Sequence, residues 1–332
     1  MPGFIQHKQC WMGVALQTAQ GSIESQPTVV FPISEEAAIG VDHHYNFFQY
    51  ADGYLSGPRH WYSGGSWSTG SLRIPIVPGM LTAAGGSGGM ESGVVTPSGT
   101  IADIGRWAFM RQHTYASMDT YGQGLFATVF RHMGHVSELY GDVKVASGKI
   151  GVSFGQMAML DLELIGLRGP APWSSPNRAD VGLDDGAITT TPYHFNNAAI
   201  SIDGASDNLT NDHSLSFDNM LASVDEAATL NGQVYPTCLP NGECAQWTGT
   251  FSRHFHDSTL YAKFVAKTEA AYKLVMTAGG HVATLEFPRI IYTEAPLSIP
   301  STGFLKQDGI SFQALASADG STAAWDLIET TS

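Results

Sequence analysis

The chain has 332 residues, enough for one large domain or two of ordinary size, and 43% of its residues are hydrophobic, which supports a substantial core. Sixteen Lys and Arg stand against thirty Asp and Glu, so a net charge of −14 argues against a surface that binds the phosphates of nucleic acid. Only 14% of the residues are charged, while 37 glycines and 16 prolines are typical of strands joined by many turns.

The first thirteen residues have neither the basic nor the continuous apolar segment of a secretion signal, and the sequence contains no apolar run of about 18 residues. We therefore expect a protein made in the cytoplasm and not inserted into a membrane. The cysteines are Cys10, Cys238 and Cys244. In the segment CLPNGEC the last two can form a small disulfide or stay reduced, whereas their spacing fits a zinc site poorly.

Alternation of apolar and polar residues is the commonest pattern in the first half and predicts antiparallel strands. It occurs in STGSLRIPI from Ser68, in KIGVSF, where Ile150, Val152 and Phe154 share one face, and in LDLELIGL from Leu160. Between the first two lies SGTIADIGRWAFMRQ, which predicts a short helix with Thr100 and Asp103 as its cap. Its apolar residues share one face: Ile101, Ile104, Trp107 and Ala108.

The second half repeats this sequence of elements. A strand with Trp247, Phe251 and Phe255 on its core face leads to DSTLYAKFVAK, where Asp257 or Ser258 caps a predicted helix. The apolar stripe of that helix is Leu260, Tyr261, Phe264 and Val265, and Lys267 suits its C-terminal end. Two further strands carry the apolar residues Ala283, Leu285 and Phe287, then Ile310, Phe312, Ala314 and Ala316.

These parallels indicate an internal duplication. WSTGSLRIPI from Trp67 matches QWTGTFSRHF from Gln246, and GVSF from Gly151 matches GISF from Gly309. The first copy is longer by a glycine-rich insertion near 78–99. We predict a first module over 1–170, a linker or arm over 171–194 that is rich in Pro, Ser, Asp and Gly, and a second module over 195–332.

A metal site is the most specific chemical alternative, because His254, His256 and Asp257 stand close together. Alternation, however, places both histidines on the polar face with Thr248, Thr250 and Ser252, and Asp257 is explained by the helix cap. A catalytic zinc needs a third protein ligand, and the remaining histidines lack ligand spacing apart from His132 and His135. His254 and His256 are therefore kept only as weak metal candidates.

No enzyme signature is complete in the sequence. The glycines of AAGGSGGMESG lack the Lys and Ser/Thr of a phosphate loop, and GGSWSTG contains no nucleophile elbow. The cluster Asp42, His43 and His44 fits a strand whose histidines face solvent or a subunit contact. We predict no catalytic residues and no cofactor.

The order of these segments resembles the tail tube proteins of siphophages, the long-tailed bacteriophages, and specifically their two-module type. The resemblance rests on MGVALQTAQGSIESQPTVVFPISE, STGSLRIPI and LYGDVKVASGKIGVSFGQMAMLDLELIGLRG in the first half, and on HSLSFDNML, WTGTFSRHFHDSTLYAKFVAK and ATLEFPRIIYTEAPLSIPSTGFLKQDGISFQALA in the second. Each motif is a weak pattern by itself, and their succession carries the resemblance.

The resemblance implies a mainly β fold of two tandem antiparallel β-sandwich or barrel modules, each with a short α-helix, plus extended loop arms. It implies a structural protein of the virion, assembled in the host cytoplasm, that stacks as rings into a tail tube. The expected partners are other copies in trimeric, pseudo-sixfold rings, the tape measure protein and the tail tip and terminator proteins, while genomic DNA passes through the lumen without sequence-specific binding. The alternatives are another phage ring protein, such as a tail terminator, baseplate or capsid cement protein, and a metal-dependent hydrolase.

Overall fold

The computed structural model describes residues 10–31, 37–48, 60–81, 99–109, 125–174, 191–223, 239, 245–297, 305–316 and 325–331. The elements of the first half are β1 Cys10–Leu16, β2 Val29–Phe31, β3 Ala38–Phe48, β4 His60–Pro75, α1 Ala102–Phe109, β5 Ala127–Met133, β6 Val136–Ser153, β7 Met159–Gly166 and β8 Pro170–Pro172. Those of the second half are β9 Ala198–Ile202, β10 Ala205–Asp207, β11 Thr210–Asp218, β12 Gln246–His254, α2 Thr259–Ala266, β13 Ala270–Ala278, β14 His281–Glu294, β15 Lys306–Ala314 and β16 Asp326–Thr331. The fold is mainly β, as predicted.

The two halves pair their strands in the same order. In the first half the order is β3-β4-β7-β6-β5-β1-β2, and in the second it is β11-β12-β15-β14-β13-β9-β10, with every pair antiparallel. The short strands β8 and β16 also correspond, because they pair with β6 and β14 respectively. The duplication predicted from the sequence is therefore present in the strand pairing. The module boundaries at 170 and 195 stay a prediction.

The match that the sequence indicated between GVSF and GISF is wrong. Gly151 lies in β6, whereas Gly309 lies in β15, and the pairing order makes β6 the counterpart of β14 and β7 the counterpart of β15. A glycine followed by alternating apolar residues fits any half-buried strand, so this short pattern does not identify which strand it belongs to.

One long strand in each half connects two parts of the sheet. The first part of β6 pairs with β5 and β8, and its last residues pair with β7 and β11. The pairing with β11 spans Ser147 to Ser153 of β6 and joins the two halves. The result is a run of eight strands, β3-β4-β7-β6-β11-β12-β15-β14, in which each half contributes four.

Alternation sets the two faces of these strands as predicted. The buried face carries Leu160, Leu162 and Leu164 of β7, Trp247 and Phe251 of β12, and Ala283, Leu285 and Phe287 of β14. Two predicted core positions are wrong: Phe154 lies just after β6 and is 76% exposed, and Ala316 lies beyond β15 and is exposed. In both cases the strand ends before the alternating pattern does.

Each predicted helix exists, but the two are buried to different extents. Seven of the eight residues of α1 are buried, including Ile104, Trp107 and Ala108. In α2 only Leu260 is buried, so the prediction that the whole apolar stripe packs inward is wrong for Tyr261 and Val265, which are 37% and 61% exposed. At the start of α1 the Asp103 carboxylate accepts a hydrogen bond from the Gly99 backbone N–H at 2.8 Å.

The insertion and the linker each begin as packed chain. Residues 82–98 and 175–190, which contain most of both segments, lie outside the described residues, as do Cys238 and Cys244. At the start of the predicted linker, however, β8 pairs with β6, and Trp173 is buried with its ring 5.0 Å from that of Phe130. The chain is therefore packed as far as Trp173, and the linker or arm over 171–194 stays a prediction.

The start of the insertion is held by the last strand of the chain. The side chain of Glu329 in β16 has no solvent exposure. Its carboxylate accepts hydrogen bonds from the backbone N–H groups of Gly79 and Leu81, at 2.6 and 2.9 Å, and from the Tyr193 hydroxyl at 2.8 Å. This single carboxylate ties together segments from both halves of the sequence.

Candidate functional surface

A polar surface extends across the place where the two halves join. We call it the junction face. It is a depression of about 750 Å³ lined by polar residues of five neighbouring strands, β4, β7, β6, β11 and β12: Ser71, Arg73, Asp161, Glu163, Ser147, Lys149, Ser216, Asp218, Gln246 and Thr248. A second depression of about 260 Å³ continues it past Asp212, Ser214, Thr250 and Ser252.

The junction face follows from period-two alternation on strands that are buried on one side only. Within β11, for example, Leu215 and Phe217 are buried, and Ser216 between them points to the depression. The same alternation operates in β12, where Thr248 and Thr250 are exposed between buried Trp247 and Phe251. The sequence therefore correctly predicted the polar side of β12.

Acidic groups outnumber basic groups on the junction face. The charged residues lining the two depressions are Asp161, Glu163, Asp212 and Asp218 against Arg73 and Lys149. Both cations lie opposite Asp161 on the strands that flank β7, and Arg73 Nε is 3.0 Å from Asp161 Oδ1. The surface charge that is left over is negative.

The other three carboxylates have uncharged neighbours across the sheet. Glu163 lies opposite Ser71 and Ser147, Asp218 lies opposite Ser147 and Gln246, and Asp212 lies opposite Ser153 and Ser252. Unneutralised carboxylates on a shared concave surface repel a polyanion such as DNA instead of binding it.

The two metal candidates lie outside both depressions. His254 is the last residue of β12, opposite Lys306, and both His254 and His256 are exposed. The N-cap of α2 is Ser258, whose side chain makes no capping hydrogen bond. Asp257 precedes it, and its Oδ1 accepts a hydrogen bond from the N–H of Thr259, the first residue of α2, at 2.9 Å, which lowers the pKa of the carboxyl. No three His, Cys, Asp or Glu side chains of the described residues form a group able to hold a metal ion.

A third histidine, which the sequence analysis did not select, is built into the junction itself. His213 of β11 lies opposite Val152 of β6 and is only 4% exposed. Burial lowers the pKa of its ring from 6.5 to about 4, against a smaller opposing effect of a hydrogen bond to the Val152 backbone. Alternation alone could have identified it, since His213 shares the buried face of β11 with Leu215 and Phe217.

Aromatic side chains hold the two halves together beneath the junction face. Phe109, the last residue of α1, has its ring centroid 5.0 Å from Phe217 and 5.9 Å from Trp247, both of which belong to the second half. All three rings are buried. The junction therefore consists of a strand pair, an aromatic contact from a helix, and a polar surface above them.

Comparison with known proteins agrees with this architecture. No curated protein matches the chain. No helix in the described part of the chain is long and apolar enough to cross a membrane. A family model described as phage tail tube protein matches residues 53–321, which cover most of both halves, and the chain therefore belongs to the phage tail tube protein family.

Proposed function

We propose that this protein polymerises through the edges of its sheet into rings of three chains, which stack into the tail tube of a siphophage and form the conduit for genome ejection. The observation that carries the proposal is the β6–β11 junction. It joins two four-strand units of the same pairing order edge to edge, from Asp212 opposite Ser153 to Asp218 opposite Ser147. A contact that works between two units of one chain can recur between units of neighbouring chains.

Ring closure follows from the repetition. A sheet made of repeated units with one free edge at each end either closes into a ring or extends without limit, and closure removes both edges. Three chains supply six units, which gives a trimer with pseudo-sixfold symmetry.

The junction face is suited to the inner wall of such a ring. Polar and net acidic side chains cover it, and the apolar face of the same strands is buried. DNA moving past this wall finds few cations that could hold its phosphates. The tape measure protein, which sets tube length, and the tail tip and terminator proteins complete the set of proposed partners, with assembly in the host cytoplasm.

Electron microscopy of the purified protein tests the proposal. We expect hollow tubes of stacked rings with threefold symmetry. Single rings, or decoration of capsids, would instead favour a tail terminator, baseplate or capsid cement protein. Images of the rings would contradict the trimer if averages made with threefold symmetry show no more detail than averages made with sixfold symmetry.

Reversing the charge of the proposed lumen wall tests its role in DNA passage. We expect phage carrying Glu163→Lys together with Asp218→Lys to assemble tails but to eject DNA more slowly, because the added cations bind phosphates. Thr330→Lys, an exposed position on β16, is the matched control and should leave ejection unchanged. Equal ejection rates for all three phages would exclude the junction face as the wall.

A further inference from the structure

The eight-strand run has two ends, and the described residues supply no strand partner beyond either. At one end β3 pairs only with β4. At the other end β14 finishes at Glu294, and the next residues, to Leu297, have no strand partner. In the internal repeat, β3 is the counterpart of β11 and β14 is the counterpart of β6, so the two ends correspond to the two strands that pair at the β6–β11 junction.

The end of β14 can be aligned with β6 through a shared irregularity. In β6 the register against β7 shifts between Val145, opposite Leu164, and Ser147, opposite Glu163. In β14 the register against β15 shifts in the same way between Tyr292, opposite Phe312, and Glu294, opposite Ser311.

Leu164 and Phe312 are themselves equivalent, because they lie opposite Gly70 and Gly249, the matching glycines of β4 and β12. Glu294 therefore corresponds to Ser147, and Leu297 corresponds to Ile150.

The same glycines align β3 with β11. Gly70 lies opposite Ile39 of β3, and Gly249 lies opposite Leu215 of β11. Ile39 is thus the counterpart of Leu215. Because Leu215 lies opposite Ile150 at the junction, the counterpart pair is Ile39 and Leu297.

We propose that β3 of one copy pairs antiparallel with Glu294–Leu297 of the next copy, in the register of the β6–β11 junction, with Ile39 opposite Leu297 and Gly40 opposite Pro296. This contact rests on the proposed assembly and specifies its interface. Its partner is a second copy of this chain, because the complementary edge is found within the chain itself.

On the Glu294–Leu297 side, backbone polarity fits this register despite the proline; on the β3 side, the Ile39 carbonyl that would accept from Leu297 also accepts hydrogen bonds from the Arg131 guanidinium and the Tyr140 hydroxyl of its own chain. At the junction the carbonyl of Ala146 accepts a hydrogen bond from the Asn219 N–H at 2.8 Å, so alternate residues from Ala146 onward direct their backbone groups to β11. The counterpart of Ala146 is Thr293, which gives Thr293, Ala295 and Leu297 the corresponding direction. Pro296 falls between them, where its missing N–H is not needed by the neighbouring chain.

Burial of the equivalent side chains also points to a missing partner. Ile150 is fully buried at the junction, whereas its counterpart Leu297 is 47% exposed. This difference is expected if the contact that buries Ile150 within one chain buries Leu297 only between two chains.

Helix α2 supplies the second part of the proposed interface. It packs against β14 as α1 packs against β6. Nearly all of α1 is buried, and Phe109 at its end contacts the second half, but α2 exposes Tyr261 and Val265 one turn apart. These two side chains are placed to contact the next copy, as α1 contacts the second half.

Cysteine cross-linking measures the register directly. In the proposed contact Gly40 and Pro296 correspond to Ser216 and Lys149, which lie opposite each other at the junction. Oxidised Gly40→Cys/Pro296→Cys protein should give covalent dimers and trimers on a non-reducing gel, at least ten times more than either single variant or wild type. The matched control, Lys149→Cys/Ser216→Cys, should close within one chain and give no added multimers.

A second variant tests the helix contact without cysteines. Val265→Glu should abolish or reduce tube formation at least tenfold while the circular dichroism spectrum stays that of wild type, because Val265 is already exposed in the single chain. Ile328→Glu, at a comparably exposed position on β16, should assemble normally.

The outcomes separate this interface from the proposed function. If wild-type protein forms tubes and the control pair closes, but Gly40→Cys/Pro296→Cys gives no more multimers than the single variants, the register is refuted and the tube is not. If Val265→Glu assembles like wild type, the helix contact is refuted. If wild-type protein forms neither rings nor tubes, the proposed function and the interface fail together.

Discussion

The buried histidine at the junction makes the folded protein sensitive to mild acid. Protonating His213 places a charge between β11 and β6 in a site with 4% exposure, and its Nε2 has no hydrogen-bond partner among the described residues. The folded pKa lies below that of the unfolded chain, so the unfolded state binds the proton more tightly. Stability is therefore complete above the unfolded pKa of 6.5 and is lost as the pH falls toward the folded pKa of about 4.

The two pKa values give the size of the effect. Lowering the pH from about 7.5 to about 5 should reduce the free energy of unfolding by about 2 kcal/mol through this group alone, and the loss should approach about 3 kcal/mol near pH 4. A loss of 2 kcal/mol is a large fraction of the stability of an ordinary domain.

Urea unfolding of wild-type and His213→Gln protein at these two pH values isolates the contribution. Other titrating groups are common to both proteins, so wild type should lose about 2 kcal/mol more than the variant between about pH 7.5 and about pH 5. Thr250→Gln, at an exposed position of the neighbouring strand β12, removes no titrating group and should keep the wild-type dependence. The reasoning is refuted if His213→Gln loses as much stability on acidification as wild type does.

Three further predictions concern stability at neutral pH. Glu329→Ala should lower the free energy of unfolding by about 3 kcal/mol, because three part-buried donors lose their acceptor, whereas Thr330→Ala at the next, exposed position should lower it by less than about 0.5 kcal/mol. Urea midpoints that agree within error would show that the Glu329 carboxylate is not needed for stability. Gly249→Ala places a Cβ 2.1 Å from the ring of Phe312 and should lower the free energy of unfolding by about 1–3 kcal/mol. Gly151→Ala is the control, because a Cβ there meets nothing within 4 Å. A lower melting temperature for Gly151→Ala than for Gly249→Ala would contradict this packing. Trp173→Ala should lower the free energy of unfolding by about 3–5 kcal/mol, because it removes a buried ring. An unchanged melting temperature would show that residue 173 contributes no packing to the fold.

Local pattern was sufficient for the elements and their faces. Alternation correctly predicted which residues of β7 and β14 point inward, because a strand that is buried on one side imposes period two on its own sequence. Alternation failed at Phe154, which is 76% exposed although its ring lies 5.3 Å from that of Phe195, and helical spacing failed at Tyr261 and Val265 of α2, which are exposed. Periodicity in the sequence indicates which residues share a face, but it does not show whether another part of the fold covers that face.

Neighbours along the chain are enough to predict the mainly β class, the two short helices, the duplication and the polar face of β12. Three features become visible only in the folded chain: β6 pairs with β11, the side chains of His213 and Glu329 are buried at contacts between the halves, and the polar positions of five strands form one acidic face. Such contacts pair residues that are distant in sequence, and an edge strand carries no local sign of its partner. The repeat supplies that information only after the pairing of one copy is known.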